Sequence, residues 1–156
     1  MYIIGITIFL GFLAFSASMS GGLSAFVDLP SLILILSFSI PMLMASGLTQ
    51  DFTRGFRIMG QKINTCSLLE LRKTQTAIKL MVKLLLISGL IGTLAGIVGM
   101  AVTMHDMSYF MPNLAVSLLT LLYSLLFICL LLPVKARVNA IILTIKKEAS
   151  YEDIDD

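Results

Sequence analysis

Apolar residues fall in four long runs, at about 2–19, 30–48, 80–104 and 112–134, separated by two short polar segments and one longer one. A helix needs about 20 mainly apolar residues to cross the hydrocarbon of a bilayer, and the first two runs lie at the short end of that range. Backbone polar groups in lipid must be satisfied within their own segment, so each run predicts a helix. No basic residue precedes the first run, which separates it from a secretory signal and makes it a retained span. The expected architecture is an all-α integral membrane protein with four transmembrane helices, forming a single membrane domain over residues 1–156.

Residues 49–79 are too polar to span. Phe52, Phe56, Met59 and Ile63 recur at helical spacing, with Arg54, Arg57, Gln61 and Lys62 between them. This pattern predicts a short amphipathic helix below the membrane, either extending span two, docking on a neighbour or binding lipid. Leu68, Leu71 and the run from Ala77 predict a second helix that leads into span three without a clear break. Its Arg72, Lys73, Lys79 and Lys83 can snorkel to the headgroups or sit below them. Residues 148–156 form a short acidic tail, expected to be solvated and mobile.

Composition supports the membrane assignment. The chain is 58% hydrophobic and only 13% charged, whereas a soluble domain is about half apolar and about a quarter charged. All 11 Lys and Arg residues lie in segment 49–83 or after Pro133. Segments 20–31 and 105–111 carry Asp28, His105 and Asp106 but no Lys or Arg. Basic loops stay on the cytoplasmic side, which places segment 49–83 and the C-terminus there. Four spans return the chain to its starting side, so the N-terminus is expected in the cytoplasm as well.

Candidate chemistry lies in the last two spans. In span four, Asn113, Ser117, Thr120 and Ser124 recur at steps of four, three and four, which makes one helical stripe. Hydroxyls in lipid have no water to bond, so the stripe should face a helix, a lumen or an ion path. In span three, Gly89, Gly92, Thr93 and Gly96 share a face, and Gly99 and Thr103 continue it. Such small-residue ridges let helix backbones approach closely. Thr93 can bond back to its own helix, or present its hydroxyl to an ion or a partner. Pro112 suits a helix first turn and Pro133 a helix end, and Pro41 can kink span two.

Other chemistry is not expected. The sequence has no nucleophile–base pattern, zinc-helix motif or phosphate loop, which argues against an enzyme. Cys66 and Cys129 fall in different environments, which argues against a disulfide, and no CxxC pattern is present. His105 has only Asp106 close to it and reads as a polar turn rather than a metal site. Inside the spans the only Asp, Glu, Lys, Arg or His is Lys83, near the cytoplasmic start of span three. Ser and Thr do not titrate near neutrality, so a proton carried through the membrane would need a carboxylate from another chain.

Gly89-Leu-Ile-Gly-Thr-Leu-Ala-Gly96 and Ala115-Val-Ser-Leu-Leu-Thr-Leu-Leu-Tyr-Ser124, followed by Pro133, resemble the MotA/TolQ/ExbB proton-channel family. The family pattern is Gly-x-x-Gly-Thr-Val-x-Gly, then Ala-Val-Ala-Leu-x-Thr-Thr-x-Tyr-Gly. Gly21-Gly-Leu-Ser-Ala-Phe-Val-Asp-Leu-Pro-Ser-Leu32 is similar to the turn between spans one and two in the MotA branch, and four spans side with that branch. The resemblance implies a multi-pass protein of the bacterial inner membrane. It would form a homopentamer around two copies of a single-span MotB-like partner that supplies a membrane Asp. Ion flow, H+ by default with Na+ possible, would rotate the pentamer, with no cofactor and no nucleic acid involved. By position, Thr93 and Thr120 would line the ion path, Ser117, Ser124 and Asn113 would extend it, and Tyr123 would help pack it. Two departures stand out. The large insertion that pushes the flagellar rotor in MotA is reduced here to residues 49–79. Leu121 and Ser124 replace a family Thr and Gly. The competing expectation is a non-conducting four-helix scaffold whose hydroxyl stripe only joins helices. A solute transporter fits less well, because no repeat relates the two halves of the chain.

Overall fold

A computed structural model describes residues 2–19, 26–60, 67–103 and 110–155. All five elements among the described residues are helices: α1 (Tyr2–Met19), α2 (Leu29–Ala45), α3 (Thr49–Gly60), α4 (Leu68–Thr103) and α5 (Phe110–Asp155). By length and composition α4 and α5 can each cross a membrane. The α2 and α3 helices make a third candidate crossing only if taken together, and they are bent by 108° where they meet. The α1 helix is apolar but shorter than a full crossing. This is the fold of a helical, membrane-embedded protein.

The α4 and α5 helices are longer than the spans expected from hydropathy. At 1.5 Å per residue their 36 and 46 residues extend about 54 and about 69 Å, against about 30 Å of hydrocarbon. The helix expected ahead of span three is continuous with it. Pro133, expected to end a helix, lies inside α5. Proline removes the N–H that the Cys129 carbonyl would accept from, a loss that usually kinks or breaks a helix. Here the turns beyond it are held in place: Val134 and Val138 are fully buried against Leu71, Ile78 and Ile58. The acidic end, expected to be mobile, is helical as far as Asp155.

The bend between α2 and α3 has a local cause. The α2 helix continues through Pro41 to Ala45, where the Ser46 hydroxyl donates to the Leu43 carbonyl (2.7 Å). Gly47 then takes a left-handed φ of 70°, and its N–H reaches the Met44 carbonyl at 3.0 Å. That conformation is open to glycine at little cost. The chain turns into α3, whose Phe52 and Phe56 rings meet edge to face at 5.4 Å.

The buried side of α3 is rotated from the expected one. Gly55 and Ile58 are buried, whereas Phe56 is 43% exposed. A Cβ on Gly55 would lie 3.0 Å from Ile78 Cδ1, so glycine is what lets α3 lie flat on α4. Ile63 lies outside the described residues. Asp51 and Glu70 flank Arg54 at 3.0 and 3.6 Å, linking α3 to the first turn of α4. That turn carries a capping box: the Ser67 hydroxyl accepts from the Glu70 N–H and the Glu70 carboxylate accepts from the Ser67 N–H, both at 3.3 Å.

Ile78, fully buried where α3, α4 and α5 meet, should cost about 2–5 kcal/mol on truncation to Ala. Gly47→Ala should cost roughly 1–2 kcal/mol, because a Cβ is strained at positive φ. Both should lower the thermal midpoint followed by circular dichroism in detergent.

Candidate functional site

The two stripes marked in spans three and four face each other. The α4 and α5 helices run antiparallel, and three of the four glycines of α4 each receive a hydroxyl residue of α5: Gly89 meets Ser124, Gly92 meets Thr120 and Gly96 meets Ser117. A Cβ on Gly92 would lie 2.7 Å from Thr120 Cγ2 and 2.8 Å from Leu34 Cδ2, and a Cβ on Gly89 or Gly96 would be closer still to its serine. With no side chain on the α4 face, the backbones approach until hydroxyls reach carbonyls across the gap. Ser124 Oγ donates to the Leu85 carbonyl at 2.7 Å. Thr93 Oγ1 lies 3.1 Å from the Ser117 carbonyl and 2.9 Å from the Gly89 carbonyl of its own helix. Its one proton is therefore shared between a carbonyl of its own helix, the first use expected from the sequence, and a carbonyl of α5. Ser117 Oγ donates to the Asn113 carbonyl at 3.1 Å. Thr93, Ser117, Thr120 and Ser124 are all buried.

The third wall of the site is α2, which buries Ser31, Ile35, Ser39 and Leu43 at steps of four. The Ser39 and Ser88 hydroxyls pair at 3.2 Å, and Ser88 also donates to the Leu85 carbonyl at 2.9 Å. The Leu85 carbonyl thus gathers hydroxyls from α4 and α5. At the outer end Ser31 and Thr120 pair at 2.9 Å. Ser31 Oγ also bonds the Asp28 carboxylate. Asp28 occupies the N-cap position of α2, yet its carboxylate caps no amide and goes to Ser31 instead. Tyr123 holds this corner: its hydroxyl donates to the Phe26 carbonyl and accepts the Asp28 N–H at 2.8 Å.

A carboxylate is therefore connected to the hydroxyl seam through Asp28, Ser31 and Thr120. Sequence reading placed Asp28 in a polar loop and passed over it. The available signals were its i, i+3 spacing to Ser31 and the Ser31/Ser39 alternation with Ile35/Leu43. Inward of Ser39, Ser88 and Ser124 the polar cluster ends on Leu43, Met81, Leu85 and Leu131. Within one chain the cluster is closed at this end by aliphatic side chains.

Other residues singled out from the sequence lie apart from this cluster. Asn113 is exposed and contributes only its carbonyl, and Gly99 is exposed with open space around a Cβ, so neither belongs to the packed seam. Both sit toward the outer end of the helix pair, beyond the Gly96–Ser117 contact. Pro112 lies in the first turn of α5, as expected. Cys129 is exposed with a free thiol. No group of metal ligands occurs among the described residues. Cys66, His105, Asp106 and the turn at 20–25 lie outside them. Compared with models of known protein families and with curated protein sequences, the chain matches none.

Gly89→Ala should destabilise the helix pair by about 1–3 kcal/mol, the cost of overpacking. Gly99→Ala should be neutral. The contrast is read as a lowered thermal midpoint for the first variant alone.

Proposed function

We propose that this chain is the outer, pentamer-forming subunit of an ion-driven membrane motor, H+ being the default ion. It would line the ion path against a single-span partner that supplies a membrane Asp. In this reading the chain crosses the bacterial inner membrane four times, with both ends in the cytoplasm. Three features support it. The residues of α4 and α5 resemble the MotA/TolQ/ExbB family at the glycine and threonine positions. All 11 Lys and Arg residues fall in segment 49–83 or after Pro133, and none in segments 20–31 or 105–111. Ile6, near the N-terminus, borders the same cavity as Phe52 and Phe56 of α3, which puts the start of the chain beside the basic segment.

The observation that carries the reading is the contact chain from the Asp28 carboxylate through Ser31 to Thr120. A carboxylate at the outer end of a hydroxyl series can accept a proton from water and pass it to a chain of hydroxyls, each of which both donates and accepts. The aliphatic closure below means that the rest of the path must lie along a partner, in keeping with a titrating Asp on another chain.

A second reading rests on a different observation. The seam hydroxyls are satisfied by carbonyls or hydroxyls of the same chain, and the facing glycines leave no room for a methyl group. This is what a non-conducting helical scaffold requires. Thr93→Ala combined with Thr120→Ala separates the two. A motor subunit keeps its assembly and loses ion flux, whereas a scaffold loses assembly or nothing.

Purification with the product of the neighbouring gene and native mass spectrometry should return five copies of this chain to two of the partner. A monomer without a partner would sink the motor reading. In vesicles holding the complex, Asp28→Asn keeps the contact to Ser31 but removes the exchangeable acid. It should slow proton entry, followed by a pH-sensitive dye, by about a hundredfold.

A further inference from the structure

The α1 helix stands apart from the other four. Ala17 is its one buried apolar residue among those described, while Ile8 and Phe12 are 68% and 75% exposed. Its N-terminal half borders two apolar cavities. One, of about 440 Å³, lies against α5 at Gly5, Ile6, Phe9, Cys129 and Pro133. The other, of about 330 Å³, runs inward to Leu36, Phe52, Phe56, Leu85 and Phe127. Ile6 and Leu130 border both, so the two form one groove between α1 and the bundle.

We propose that this groove holds an acyl chain of an anionic phospholipid of the cytoplasmic leaflet. An apolar groove at membrane depth offers water almost no partners and does not hold it, whereas a hydrocarbon chain fills it without desolvating anything polar. The headgroup sign follows from the end at which the groove meets α3. Phe52 and Phe56 form its wall there, and Arg57, the next residue, is exposed. Segment 49–83 carries seven basic residues, Arg54, Arg57, Lys62, Arg72, Lys73, Lys79 and Lys83, against two acidic ones, Asp51 and Glu70. Arg54 is engaged with both carboxylates, which leaves the exposed Arg57 to meet a phosphate. An interfacial helix with aromatic residues toward the acyl chains and arginine toward the headgroups is suited to such a lipid. The site rests on the membrane orientation of the reading above, with the basic segment on the cytoplasmic side, and is independent of the ion path.

The test is native mass spectrometry of the complete chain, stripped of lipid in detergent and mixed with dioleoylphosphatidylglycerol or dioleoylphosphatidylcholine. The anionic lipid should be retained over the zwitterionic one by about fivefold, the contribution of one basic side chain near the lipid surface. Arg57→Gln, at an exposed position, should abolish that preference. Ile6→Trp, on the loosely covered α1, should reduce retention of both lipids without moving the thermal midpoint. Equal retention of the two lipids by the unmodified chain would overturn the proposal. So would undiminished binding by Ile6→Trp, or a lipid-free dimer in which a second copy fills the groove.

Discussion

The close approach of α4 and α5 is the contact on which the other elements depend. Two helices in lipid gain nothing from hiding apolar surface, since the surroundings are as apolar as they are, so association must come from packing and hydrogen bonds. The chain meets this with glycine on one helix and small hydroxyl residues on the other. Gly89, Gly92 and Gly96 receive Ser124, Thr120 and Ser117 in antiparallel order. The same seam continues in a different chemistry, with Leu71 and Ile78 packed on Val134 and Val138. In water, aliphatic burial is the stronger term. The change falls near Leu85 and Leu131, close to Lys83 and Lys135, where charged residues begin on each helix. The seam changes composition where charged residues begin.

The long helices and the bent pair follow from that seam. A proline in mid-helix is tolerated because the turn after it carries the tightest aliphatic packing. The α3 helix lies on the aliphatic half of the seam, held by Gly55 and Ile58 and by the Asp51–Arg54–Glu70 contacts. The α2 helix lies on the hydroxyl half, where Ser31 and Ser39 meet hydroxyls of α5 and α4. Their junction turns on one glycine. The α1 helix takes almost no part in this scheme, so its neighbours must be lipid or another chain.

The hydroxyls of the site serve two ends that pull in different directions. As packing groups they are well satisfied and leave no free volume. As an ion path they need a titrating group and an exit. Asp28, held by Tyr123 and Ser31, supplies a carboxylate at the outer end, while Leu43, Met81, Leu85 and Leu131 close the inner end.

The sequence by itself determined the helices, the membrane and the two faces that meet. Hydropathy runs mark helices because lipid leaves backbone groups no other partner, and i, i+3, i+4 spacing marks faces because a helix has a fixed pitch. What it could not determine was how far each helix runs, which way α3 turns its apolar side, and that Asp28 belongs to the site. Helix ends depend on partners distant in sequence: α5 persists beyond Pro133 only because α4 lies beside it. The inner face of α3 depends on where Gly55 finds a flat surface. Asp28 joins Thr120 only once α2 lies against α5, a contact between residues 89 positions apart at Ser31 and Thr120. Local pattern reports what each segment can do in its solvent, and only tertiary packing decides which side chains end up touching.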